Sequence, residues 1–142
     1  MQNFTLLVQS KIGLSLARKA LKNGQIKEND LQWQAQRFAR EAALTSTNHF
    51  EDRIAQRFLA DEIDSLAAAV ARAVRGTKTQ EVGSYGDHSR VSQRYEDALT
   101  GIVVVLERYG NLGATLVTTY KKGCENLISD EELADLKKRG VL

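Results

Sequence analysis

The sequence predicts an all-α, single-domain bundle of five to six helices packed around a central one. Three observations predict it. The chain of 142 residues contains no proline, the residue that most strongly interrupts helices. Alanine and leucine, both strong helix formers, are abundant. Val91, Tyr95, Ala98, Leu99, Ile102, Leu106 and Tyr109 recur every three or four residues, which would make one apolar stripe on a central helix over about 89–109. The run Ile102-Val103-Val104-Val105-Leu106 adds apolar residues off that stripe. Val104 would face away from it, among Asp97, Gly101 and Arg108. A helix apolar nearly all round is buried or meets a partner.

The first helix is expected over 4–22, with Leu6, Leu7, Leu14, Ala17 and Leu21 on one face. Asn23-Gly24 suits a left-handed stop. The second runs from Asn29 or Asp30 to about Leu44, with Leu31, Ala35, Phe38 and Ala42 inward and Trp33 off that line. Residues 45–48 read as a turn, and Asn48 with Glu51 as a capping box. The third helix is expected from His49 to Arg75 as one long rod. Its stripe is not straight: Phe50, Ile54 and Phe58 follow one line, and Leu59, Ile63, Leu66, Val70 and Val74 another. Curvature, or two halves facing different neighbours, accounts for the offset. Residues 76–88 contain three glycines and no periodicity, so they read as a loop. After the central helix, a shorter one is expected over 111–122, and a last short one over about 130–139. Ser129 to Glu132 cap the last one, and Lys137 to Arg139 fill its final turn. A rival reading makes Gly101 to Leu106 a buried strand. The sequence shows no companion strand of equal quality, so the helix is preferred.

Composition sets limits on function. A hydrophobic fraction of 42% and a charged fraction of 27% fit an ordinary soluble globule. One domain over 1–142 is expected, large enough to fold without disulfide or metal. A net charge of +2 is too small to indicate a polyanionic partner alone. Cys124 is the only cysteine, so no intrachain disulfide forms and a reducing, cytoplasmic setting is expected. The first residues lack the pattern of a signal peptide, and no apolar run is long enough to span a membrane, so no membrane partner is expected.

The chemistry-bearing residue types do not assemble into a known pattern. His49 and His88 lack a partner at helical metal-ligand spacing. Asp87-His88-Ser89 names the members of a hydrolase triad, but adjacent residues do not form the relay. Gly83 to Gly86 match no phosphate-binding glycine motif. Asp61, Glu62 and Asp64 read as a solvated face, and Cys124 beside Lys121 and Lys122 as incidental. No catalytic residue, cofactor or metal is therefore expected.

The basic residues are more suggestive. Residues 1–45 carry seven cations against three acids, a surplus of four. Lys11, Arg18 and Lys22 line one helical strip. Lys78, Arg90 and Arg94 flank the glycine loop, with Tyr85 as an anchoring aromatic. Such groups suit phosphate contact. Tyr95-Glu96-Asp97-Ala98-Leu99, then Leu112, Leu116-Val117 and Tyr120 to Gly123, together resemble the helices that precede the DNA-binding turn in small phage antitermination proteins. The resemblance covers under a third of the chain and implies a phage-type helical regulator; the basic recognition helix of that pattern does not follow, since Ser129 onward is acidic first.

Two functions are therefore expected. The first is a non-enzymatic helical regulator, adaptor, inhibitor or assembly subunit that binds a protein or itself through Trp33, Tyr85, Val104, Arg90 and Arg94. The alternative is a nucleic-acid-binding transcription regulator of antiterminator-like type, contacting its ligand through Lys11, Arg18, Lys22 and Lys78.

Overall fold

The computed structural model describes residues 3–86, 91–109, 112–122 and 138. The architecture is mixed α/β, not an all-α bundle. Helices α1 (Asn3–Lys22) and α2 (Leu31–Glu41) come first, then strand β1 (Leu44–Ser46). Helices α3 (Asn48–Arg57) and α4 (Ile63–Arg75) follow. Four strands follow among the described residues: β2 (Thr79–Gly86), β3 (Val91–Asp97), β4 (Ile102–Tyr109) and β5 (Gly113–Lys121). They form one sheet in the order β1-β5-β4-β3-β2. β2 to β5 are an antiparallel meander, and β1 adds to β5 in parallel.

The central helix expected over 89–109 is two strands and a turn. Three consecutive valines lose side-chain freedom in a helix but pack well on a pleated sheet. The reversal is built by Asp97, whose Oδ2 accepts from the Thr100 backbone N–H at 2.9 Å and the Thr100 hydroxyl at 2.6 Å. Gly101 completes it at φ +72°, in the left-handed region that glycine enters without a steric cost. Companion strands do exist. The loop expected over 76–88 is largely β2, and the helix expected over 111–122 is β5. The likeness to antitermination helices falls with them, because Tyr95 to Asp97 lie on β3 and Leu116, Val117, Tyr120 and Lys121 on β5.

The expected helix from His49 to Arg75 is broken. The Thr47 hydroxyl caps α3 by accepting from Phe50 N at 3.1 Å. Phe58 and Leu59 are extended, and a 3-10 turn at Ala60–Glu62 leads into α4. Leu59 N donates to the Glu62 carboxylate at 2.8 Å. The two offset stripes were therefore two helices. Gly76, at φ +70°, ends α4 as expected. Arg108 from β4 donates to the carbonyls of Ala73 and Val74 there, satisfying groups that a helix end leaves bare. The expected helix over 130–139 lies outside the described residues, apart from Lys138, which is helical.

One face of the sheet packs on α1, α3 and α4. Ile102, Val104, Leu106, Ala114 and Leu116 meet Val8, Ile12, Phe50, Ile54, Leu66 and Val70 there. Val104 is fully buried in this core, so it is not a partner-binding residue. The other face carries a smaller buried cluster of Val103, Val105, Val117 and Tyr120. α2 packs chiefly on α1. Gly13 permits the approach, since a Cβ there would lie 2.2 Å from the Ala35 carbonyl oxygen. Among the described residues, no helix is long and apolar enough to cross a membrane.

Candidate nucleic-acid interface

Strand β1 stops at Ser46 and pairs only with residues 114–116 of β5. Beyond Leu116, α3 replaces it at the strand's edge. Thr47 begins the exchange: its N–H donates to the Leu116 carbonyl, and its hydroxyl to the Val117 carbonyl, each at 3.1 Å. Arg57, in the last turn of α3, continues it by donating to the Thr119 carbonyl at 2.6 Å. A bare strand edge is an aggregation hazard, and these donors cover it.

The same arginine reaches Tyr120. Its guanidinium lies 6.0 Å from the Tyr120 ring centroid, at the outer reach of a cation–π contact. Arg94, from β3, donates to the Tyr120 hydroxyl at 3.3 Å. The register explains the meeting. Arg94 pairs with Val105, which pairs with Thr118, while Tyr120 pairs with Val103. All of these side chains therefore share the face away from the helices. Arg53 sits one helical turn before Arg57, only 8% exposed, and donates to Gln56 at 3.2 Å. Thr118 is buried on the same face as Tyr120. The structure thus brings together two guanidinium groups, those of Arg57 and Arg94, at one phenol, Tyr120. Each guanidinium is engaged, so its position is fixed in advance of any ligand. Planar guanidinium groups match phosphate oxygens in pairs, which a point-like ammonium does not.

No family model, curated protein or solved structure matches this chain. Function must therefore be argued from the site itself.

Of the residues singled out in the sequence, only Arg94 belongs to this cluster. Arg90, His88 and Cys124 lie outside the described residues. Tyr85 lies on β2, in register with Ser92. His49 opens α3, four residues before Arg53. Trp33 stands 59% exposed on α2, with the Arg37 guanidinium 5.9 Å from its ring. Lys22 is exposed in the last turn of α1, and Lys78, at φ +51°, leads into β2. Lys11 and Arg18 line a different feature, a groove between α1 and α4. Glu62 receives Lys121 at 2.6 Å, and this contact, with the Leu59 N–H, holds its carboxyl below the ordinary range. Among the described residues, no cluster of metal-ligating side chains forms. Arg57 and Tyr120 do not stand out as site residues in the sequence. The one signal for them is the β-branched run that ends at Tyr120.

Proposed function

We propose that the protein is a nucleic-acid-binding protein that takes single-stranded RNA at Arg57 and Arg94, the two arginines that meet at Tyr120. The observation that supports this reading is Tyr120, held at its ring by Arg57 and at its hydroxyl by Arg94. Two arginines from separate elements converge on one aromatic, and guanidinium groups pair with phosphate oxygens. A single strand is favoured over a duplex. Reading a duplex needs a helix or ribbon that enters a groove, and α3, which carries Arg57, is packed against β5.

The test is fluorescence anisotropy with a labelled RNA 20-mer and the matching DNA, at several salt concentrations. RNA binding is expected to weaken as salt rises, because bound phosphates release counterions. Arg94→Gln and Arg57→Gln are each expected to weaken it by about tenfold, the value of one charge-assisted contact. Absence of binding at low salt, or full binding by both variants, refutes the reading.

A further inference from the structure

The groove between α1 and α4 lies on the helical side of the sheet, away from Tyr120. Its volume is about 270 Å³. Its apolar lining is made by Leu14, Ala68 and Ala71. The alanines leave room where larger side chains would fill the space between the helices. The rim is cationic. Lys11 and Arg18 stand along α1, and Arg75 stands opposite on α4. Arg72 also borders the groove, but it is committed to Asp97 at 2.6 and 2.8 Å.

The rim charges are weakly answered within the chain. Lys11 pairs with Asp64 at 2.8 Å, yet the Asp64 side chain is 80% exposed. Exposed pairs of this kind contribute little, so an incoming carboxylate can displace it. Arg75 donates to the hydroxyl of Ser15, a neutral acceptor that leaves its charge in place. Arg18 is exposed.

We propose that this groove docks an acidic, amphipathic segment of a partner protein. The partner's apolar side chains would occupy the floor over Ala68 and Ala71. Its carboxylates would meet Lys11, Arg18 and Arg75. This is the charge-complementary form of an amphipathic helix laid into a groove. A phosphate chain would use the rim but leave the apolar floor without a partner. The proposal does not depend on RNA binding at Tyr120, because the sheet lies between the two surfaces.

The probe is a fluorescein-labelled peptide of about 16 residues, long enough to form helix, with Leu on one face and Glu on the other. A charge-reversed control carries Lys in place of Glu. Anisotropy at low salt is expected to show saturable binding of the acidic peptide and none of the control. Arg18→Glu is expected to weaken the acidic peptide by about tenfold, one lost charge contact made repulsive. Ala68→Glu, which fills the floor, is expected to abolish binding, with circular dichroism confirming that the variant folds. Arg94→Gln is expected to leave the peptide bound while weakening RNA binding. The proposal is overturned if the acidic peptide shows no saturation, if the Lys control binds equally, or if Arg18→Glu binds as well as the parent. It is also overturned if RNA binding collapses in Arg18→Glu and Ala68→Glu, which would make the groove a nucleic-acid surface.

Discussion

Removing the carboxylate of Asp97 should cost this protein more than any single surface charge. Asp97 is 1% exposed at the end of β3. Its oxygens accept from Arg72 Nε at 2.6 Å, Arg72 Nη2 at 2.8 Å, Thr100 N at 2.9 Å and Thr100 Oγ1 at 2.6 Å. One side chain therefore ties α4 to the sheet and folds the turn into β4. Breaking one partner of a buried pair costs about 3–5 kcal/mol, because the remaining charge is left uncompensated. Arg72 keeps some access to water, with its side chain 20% exposed, which favours the lower end. Asp97→Ala is thus expected to lose about 3 kcal/mol. Asp97→Asn, which retains an acceptor for Thr100, is expected to lose about 2 kcal/mol.

The pH dependence follows from the same contacts. Burial pushes the Asp97 carboxyl up, but the hydrogen bonds from Arg72 and Thr100 outweigh it and hold the group below its ordinary value. A carboxylate depressed in the folded state stabilises above its unfolded pKa, about 3.9. That stabilisation is lost as pH falls through the folded value. The difference in stability between parent and Asp97→Asn should therefore be full at pH 7 and shrink below about pH 4. Urea unfolding followed by far-ultraviolet circular dichroism is the assay. Trp33 is a poor fluorescence probe, being 59% exposed. A loss under about 1 kcal/mol for Asp97→Ala, the size of an ordinary exposed pair, or a difference that does not shrink in acid, would refute this reasoning.

Two further outcomes concern packing. Gly13→Ala would place a Cβ 2.2 Å from the Ala35 carbonyl oxygen and 2.8 Å from Ala39 N, and such overpacking costs about 1–3 kcal/mol. Faster amide exchange in α2, with the sheet unchanged, is the expected result. Val104→Ala removes a fully buried side chain from the main core and should cost about 2 kcal/mol by chemical denaturation, a loss of apolar burial and packing together.

In the N-terminal half the helix stops are legible: the glycine after Asn23 and the glycine at 76 end helices as expected, because both stand where a left-handed residue is needed. Strand β1, within a stretch that reads as helix end and turn, is not. The offset between the Phe50-Ile54-Phe58 line and the later stripe is a break between two helices, neither curvature nor one rod with two differently facing halves. In the C-terminal half the misreading had one cause. Val91, Tyr95, Leu99, Ile102 and Leu106 repeat at helical spacing by coincidence of two strands and a turn. The β-branched run at 102–106 was the better guide, and the turn at Asp97, Thr100 and Gly101 the missing stop. Strand character was judged by apolar quality, which β2 and β3 lack. They are held in the sheet by neighbours rather than by their own preference, and that context cannot be seen in one segment. The arginine cluster was illegible for the same reason: Arg57 and Arg94 meet at Tyr120 only once β3, β4 and β5 are in register.

The three-residue strand β1 has a consequence for how the chain can be made. Thr45 faces Thr115 across 70 residues of sequence. On a ribosome, the first two helices and that short segment emerge long before their last neighbour has been synthesised. Leu44 to Ser46 have no strand to pair with until residues 114–116 appear, a pairing of high sequence separation that forms late. A nascent chain stalled before residue 113 is therefore expected to be cut by protease at residues 44–46, and the full chain to be protected there.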